Sequence, residues 1–574
     1  MERNLFRKNE GFEGGEGKIS LTGRQGAFGN EGREEMTGDV ITEREVRQAG
    51  EVLKEYKSAK GLLDERVLQN EKWFRLRHWQ GQRSPAQREM KHSAWLFNSI
   101  VNKHADFMDA VPECTVLPRE EGDRREAERL TSVLPVILER NSFLNVYSEG
   151  AYRKLKTGTA VYSVLWDPAR DMGLGEIDIR TVDILNLFWE PGIRNIQDSR
   201  NVFYCDLCDN DLLIEEYPFL EGKLGGSGRE ILTYTYDSNV DTSKKSAVVD
   251  WYYKKKVNGV TVLHYCKFVD SFVLYASEND PLYRDKGWYD HGKYPFVFDP
   301  LFKEEGTPVG FGFIDIMKDA QEEIDILGNE ILRNARLGSR KRYFTRVEGA
   351  VNEEEFADFN RDFVHVAGSS IGEESIREIG FSPLSPVYVT VLNNKIDELK
   401  ETSGNRDFSQ GGTAGGVTSG TAITALQEAG NKLSRDMISA TYNAFSEICT
   451  LSIELIRQFY TLPRSMRITG EKGDYLYQLY DNSVLRGTLT EGGFGLPSVL
   501  HQPVFDVKVK AHRQNTFSRA AQNADALNFY SLGFFDPEKA DQSLACMELI
   551  DIENKEKIKT IIMNNQLKAR GVNK

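Results

Sequence analysis

Cysteine is scarce in this 574-residue chain: six residues, of which only Cys205 and Cys208 form a CxxC. That excludes a disulfide scaffold. A structural zinc site on the pair would need two more ligands, and no second CxxC or HxxxH supplies them. The eight histidines are scattered, with no HExxH and no close pair, so each is expected to be an ordinary structural residue. Long apolar runs are missing as well. No stretch approaches the roughly 18 uninterrupted apolar residues of a membrane helix. The opening MERNLFRKNE has no apolar signal-peptide core, so a soluble chain made in the cytoplasm, with no membrane partner, is expected.

Positive charge is in deficit: 73 Lys+Arg stand against 87 Asp+Glu, a net −14. A protein that coats nucleic acid needs the opposite balance, whereas one that lets DNA slide past does not. The Walker lysine is absent too. A P-loop needs GxxxxGK[ST] for its phosphates and magnesium. Here GGTAGGVTSG has no lysine, and Gly17-Lys18 is followed by Ile19. Neither a GxSxG elbow nor a kinase motif set is found. The acidic runs Glu353-Glu354-Glu355 and Glu373-Glu374 read as solvated faces. No catalytic residue, metal or cofactor is expected, and the chain is expected not to be an enzyme.

What is present is a core-forming composition, 40% hydrophobic and 11% aromatic, at a length suggesting about three to five units. Residues 1–40 hold nine glycines among mixed charges and predict a flexible tail. Thr42-Glu43-Arg44-Glu45 is a capping box opening a long helix through Val46, Leu53, Leu63, Val67 and Phe74. Pro85 opens a second, with the stripe Ala94, Phe97, Val101, Ala105, Met108. A third spans about 123–140, and a fourth runs from Phe143 to a stop at Gly158. Strands follow at Ala160–Trp166 and Ile177–Phe188, and Ala247–Lys255 and Val260–Phe268 flank the hairpin signal Asn258-Gly259.

From Gly310 the pattern turns helical. Phe313, Met317, Ile324, Leu327 and Ile331 lie on one apolar stripe of a helix of about 23 residues. Acidic residues crowd its start and Arg333 and Arg336 its end, as the helix dipole favours. With Arg340, Lys341, Arg342 and Arg346 these make a basic cluster, able to meet phosphate or an acidic partner or simply to stay solvated. A second helix follows at about 387–401. Glycines at 404, 411, 412, 415, 416 and 420 then mark a long loop before helical pattern from Thr421 to Tyr460. Strands at about 466–468, 475–479 and 505–511 precede helices at about 516–530 and 537–568.

HGKYPFVFDPLFKEEGTPVGFGFIDIMKDAQEEIDIL, FWEPGIRNIQDSRNVFYC and SGTAITALQEAGNKLSRDMI together resemble the portal proteins of tailed bacteriophages. In the second stretch Glu190 stands where Asp is usual in that family. The resemblance implies an α+β portal fold: a helical then β wing over 41–310, stem helices at 311–337 and 385–403, and a mixed clip at 338–384 between them. It further implies a tunnel loop at 404–420, a long helix at 421–463, a β return to the wing at 464–514 and a helical crown at 515–574. The stem stripe would serve the oligomer, and the basic cluster would sit at the stem–clip junction. In the tunnel loop Arg406, Ser409, Gln410, Gly411, Gly412, Thr413, Gly415, Gly416, Thr418 and Ser419 would face DNA.

A portal is a ring, twelve-fold at one capsid vertex, assembled in the host cytoplasm. Double-stranded DNA passes through it during packaging and ejection. Its partners are the terminase large subunit, the head-tail connector, and the major capsid and scaffolding proteins. Twelve copies of −14 sum to about −168, which suits an acidic channel that repels phosphate. A packaging ATPase or nuclease is a second reading and would need the nucleotide or metal motifs that are missing. Another virion structural protein is a third, and it would lack this order of elements.

Overall fold

A computed structural model describes residues 40–79, 90–224, 243–339, 343–345, 354, 376–378, 383–404, 432–469, 475–490, 499–513, 527–549 and 555–569. The chain divides into a large unit, residues 1–107 and 114–510, and a small one, residues 108–113 and 511–574. Helices and antiparallel strands are mixed throughout, as an α+β class requires.

In the large unit the first helix is Glu43–Phe74, and both hydrogen bonds of the Thr42/Glu45 capping box are made. Val46, Ala49, Leu53 and Tyr56 lie on one face and pack against Phe203, Cys205, Trp251, Cys266 and Phe268. These belong to a five-stranded antiparallel sheet in the order Leu187–Trp189, Asn201–Asp209, Lys245–Val257, Val260–Val269, Phe272–Ala276. Leu213, Leu220, Val248 and Val269 form a separate cluster, with Cys208 packed against it. Cys205 and Cys208 are three apart on one strand, so alternation sends their side chains to opposite faces. The CxxC is therefore two packing residues, not a ligand pair. Asn258 and Gly259 close their hairpin with φ of 52° and 85°, the left-handed pair that a two-residue turn demands.

A second sheet orders Glu176–Val182, Thr159–Asp167 and Phe296–Pro300. The expected strand 177–188 is thus two strands in two sheets. Asp183 breaks it, its carboxylate accepting from Leu185 N at 3.0 Å to start a helical turn. The second helix is corrected as well. It begins at Trp95, and Leu96, Ile100 and Phe107 are its buried apolar positions, whereas Phe97 is exposed. The stripe read from Ala94 and Phe97 is one position out of phase, because Trp95 and Leu96 extend the apolar run and blur its period. Pro85 lies outside the described residues.

The helices Arg124–Arg140 and Phe143–Thr157 lie where expected, and Gly158 ends the latter at φ 88°. Strand Arg464–Thr469 pairs with Tyr475–Tyr480, and Thr488–Thr490 with Val499–His501. The small unit is helical where described beyond residue 526. Ala540–Leu549 and Lys555–Ala569 share a core of Ala540, Met547 and Ile562, and Asp536 caps the turn at Pro537. The sequence reads one helix over 537–568, whereas two helices are found, with 550–554 outside the described residues.

Candidate functional site

Helix Phe313–Ser339 and helix Val387–Ser403 pack against each other. Their base is fixed by a close crossing of backbones. A Cβ on Gly312 would stand 2.8 Å from the Leu155 carbonyl oxygen, and one on Gly158 would stand 2.4 Å from the Phe311 backbone. Only glycine fits at that crossing. Gly312 N donates to Asp315 Oδ2 at 2.9 Å, and Asn70 Nδ2 donates to Asp315 Oδ1 at 3.0 Å, tying the helix start to Glu43–Phe74. Beside it, burial works against ionisation of Glu71, but Lys156 and Arg75, each 2.7 Å away, outweigh it and hold the carboxyl below its ordinary value.

The apolar stripe is used within the chain. Phe313, Met317 and Ile324 are fully buried, and Leu327 and Ile331 half-buried. Besides its partner helix, Phe313–Ser339 contacts Phe143–Thr157 and Glu43–Phe74. Part of the stripe's cover thus comes from the same chain, and Leu327 and Ile331 keep surface that a neighbouring copy could meet. What the pair leaves bare is another set: Ile316, Ile326, Leu332 at 47% exposure, and Val387 at 63% with Tyr388, Val389 and Val391 beside it. Between the helices Lys395 bridges Glu323 at 2.8 Å and Glu398 at 3.0 Å.

A polar row runs along the same helix at Gln321, Asp325 and Asn329, four residues apart and hence on one face. It grips the segment Lys91–Leu96. Asn329 exchanges hydrogen bonds with the Lys91 backbone, Oδ1 accepting at 2.9 Å and Nδ2 donating at 2.8 Å. Gln321 accepts from Leu96 N at 2.9 Å and donates to Ser93 O at 3.0 Å. Asp325 Oδ1 accepts from Ser93 N, Ser93 Oγ and Gln321 Nε2 at 2.8, 2.6 and 3.0 Å. Its Oδ2 meets His78 Nε2 at 3.1 Å, and the His78 and His92 rings stand 4.7 Å apart edge to face. Burial disfavours an ionised Asp325, yet the bonds from His78 and Ser93 win and keep the carboxyl below its usual range. Sequence reading missed this cluster, because the two histidines are 14 positions apart and Asp325 follows only 233 residues beyond His92.

A profile of the phage P22-like portal protein family matches residues 106–573. The chain belongs to that family. A curated relative, the portal protein of Helicobacter pylori bacteriophage KHP30, is 22% identical over 402 residues, 67% of this chain and 62% of the relative. The chain thus spans under two thirds of that relative's length. Portal proteins are components of the virion, so the family places this chain among phage structural proteins. No helix among the described residues is long and apolar enough to cross a membrane.

Of the residues singled out in the sequence, Arg333 and Arg336 are exposed at the end of Phe313–Ser339, and Arg333 pairs loosely with Glu330 at 3.6 Å. Arg340, Lys341, Arg342 and Arg346 lie outside the described residues, so the structure does not show the cluster as a whole. The same holds for Arg406, Ser409, Gln410, Gly411, Gly412, Thr413, Gly415, Gly416, Thr418 and Ser419. Gly404, at φ 69°, ends Val387–Ser403 immediately before them. On the far side the described helix is Lys432–Phe459. Between the two packed helices, Tyr343–Thr345 pairs antiparallel with Ile376–Glu378. Glu190, the departure from the family pattern, binds Arg200 twice through its side chain, at 2.9 and 2.7 Å. Those hydrogen bonds lower its pKa.

Proposed function

We propose that this chain is the portal subunit of a tailed phage, closing as a twelve-membered ring at one capsid vertex. Family membership supports the role, and the bare apolar side chains of the helix pair carry the assembly reading. A single chain leaves Ile316, Ile326, Leu332 and Val387–Val391 facing water, and a head-to-tail contact with a closing rotation would bury them. In this reading residues 311–337 and 385–403 are the stem, 338–384 the clip, 404–420 the tunnel loop, 421–463 the long helix behind it and 515–574 the crown. Residues 41–310 and 464–514 form the wing. The ring conducts DNA in packaging and ejection, docks the terminase and then the head-tail connector near the basic cluster, and nucleates procapsid assembly with the capsid and scaffolding proteins. It works without catalysis of its own, because the missing Walker lysine leaves packaging energy to a separate motor.

Native mass spectrometry and negative-stain images of the purified full chain test this. A ring of about twelve chains with a central hole is expected, rings one subunit larger or smaller included, since small changes of interface angle alter closure. Monomer or dimer alone at micromolar concentration would refute it.

A further inference from the structure

We propose that His78, His92 and Asp325 bind one transition-metal ion of the zinc class per chain, stapling the residues around both histidines to helix Phe313–Ser339. One potential donor atom from each residue lies within 4.8 Å of the other two. Tetrahedral zinc with bonds near 2.0–2.1 Å spaces its donors by about 3.4 Å, so the three must close by about 1.4 Å at most, which ring rotation of the histidines accommodates. Two imidazoles with one carboxylate suit zinc, cobalt or nickel, whereas magnesium and calcium prefer an all-oxygen shell.

Three features separate this cluster from a chance gathering of polar groups. First, His78 Nδ1 and His92 Nδ1 are both buried without a hydrogen-bond partner, although the His78 side chain is only 3% exposed. An unsatisfied buried nitrogen is costly, and an ion bound through His92 Nδ1 would offset that cost at that ring. Second, the carboxylate is already oriented as a ligand. Ser93 and Gln321 occupy Oδ1 with three hydrogen bonds and leave Oδ2 turned to His78, the outer-shell support typical of metal-bound carboxylates. Third, aromatic rings wall the site. Trp73 stacks on His78 at 3.7 Å between centroids, and Trp79 lies 5.3 Å away. On binding, the ion takes the place of the hydrogen bond between His78 Nε2 and Asp325 Oδ2, and the imidazole N–H proton sits on the ring's other nitrogen, so His78 binds as a neutral ligand. A water fills the fourth position. The role is structural, joining three regions of the large unit, and it stands apart from the portal reading.

The test uses full-length protein stripped with EDTA, dialysed, and titrated with Co²⁺ and then Zn²⁺. One equivalent of Co²⁺ per chain should bind with the visible absorption of a low-symmetry nitrogen–oxygen site, and Zn²⁺ should displace it. Added Zn²⁺ should also raise the melting temperature. His92→Ala, with circular dichroism confirming the fold, should lose at least about tenfold in affinity, and Gln321→Ala should lose affinity by weakening the support of Asp325. His92→Gln is the second variant should His92→Ala fail to fold, with the same loss expected. Substoichiometric cobalt uptake by the wild type, or uptake unchanged in a folded His92 variant, would overturn the site and leave a histidine–aspartate hydrogen-bond cluster only.

Discussion

Lys154 has a side chain 1% exposed, with its ammonium held by Asp299 Oδ1 at 2.6 Å, Thr441 Oγ1 at 2.7 Å and the Met437 carbonyl at 3.3 Å. Thr441 also donates to the other Asp299 oxygen at 2.9 Å. One charge pair thereby joins helix Phe143–Thr157, strand Phe296–Pro300 and helix Lys432–Phe459, elements up to 287 residues apart in sequence. Removing one member strands the other in a dry interior. Lys154→Met is expected to destabilise the fold by about 3–5 kcal/mol, while Lys154→Met with Asp299→Leu should recover most of that, since a buried pair replaced whole is often close to neutral. Urea titrations of both variants check this, and an equal loss in the two would show that the pair's charge is not what matters. Nothing in the sequence marks Lys154 or Asp299 as partners, because such a pair is defined by tertiary distance alone.

At the scale of elements, sequence reading succeeds where a local rule fixes the outcome. The Thr42 box, the Gly158 stop, the Asn258-Gly259 hairpin and the periodic helix from Phe313 each rest on a few adjacent residues. It fails where two rules compete. Eight of the thirteen residues from Ile177 to Trp189 are apolar, yet a single Asp183 side-chain bond divides them between two sheets. The stripe from Phe313 marks the reach of the pattern: periodicity finds an apolar face but not what covers it. Residues off that face separate the two roles. Ile324→Asp places a carboxylate where the native side chain is 3% exposed and should cost several kcal/mol, so the chain itself loses stability. Ile326 and Leu332 are 40% and 47% exposed. Ile326→Asp with Leu332→Asp should leave the monomer's circular dichroism unchanged while the ring population seen by native mass spectrometry falls. Full rings in that double variant would move the subunit contact elsewhere on the chain.

For the whole molecule, the glycine-rich segment 404–420 is the feature that packing explains least. Six glycines in 17 positions would cost about 0.5–1 kcal/mol each if ordered, relative to alanine. Helix–helix connections of two to eight residues are the common solution, so this length fits either a task of its own or a long linker, and the proposed portal role favours the first. Its flanks are settled: Val387–Ser403 ends in the left-handed Gly404, and Lys432–Phe459 resumes with Met437 and Phe445 buried. The segment carries Ser409, Gln410, Thr413, Thr418 and Ser419 as polar groups, with Arg406 as its one cation. Hydroxyls and amides on small residues give weak, exchangeable contacts to a phosphate backbone, and a chain of net −14 supplies no grip of its own. Such a surface suits DNA that must move. Replacing 411–418 by four glycines should leave rings assembled while packaged DNA is retained less well. Placing Lys at Thr413 and Thr418 should do the reverse, slowing packaging by adding up to 24 cations to the proposed ring of twelve. Each lysine near the backbone releases condensed counterions on contact, so the slowing should weaken as salt is raised. Packaging rate and DNA retention measured across a salt series decide the matter. Wild-type values for both variants at every salt would reduce the segment to a tether between two helices.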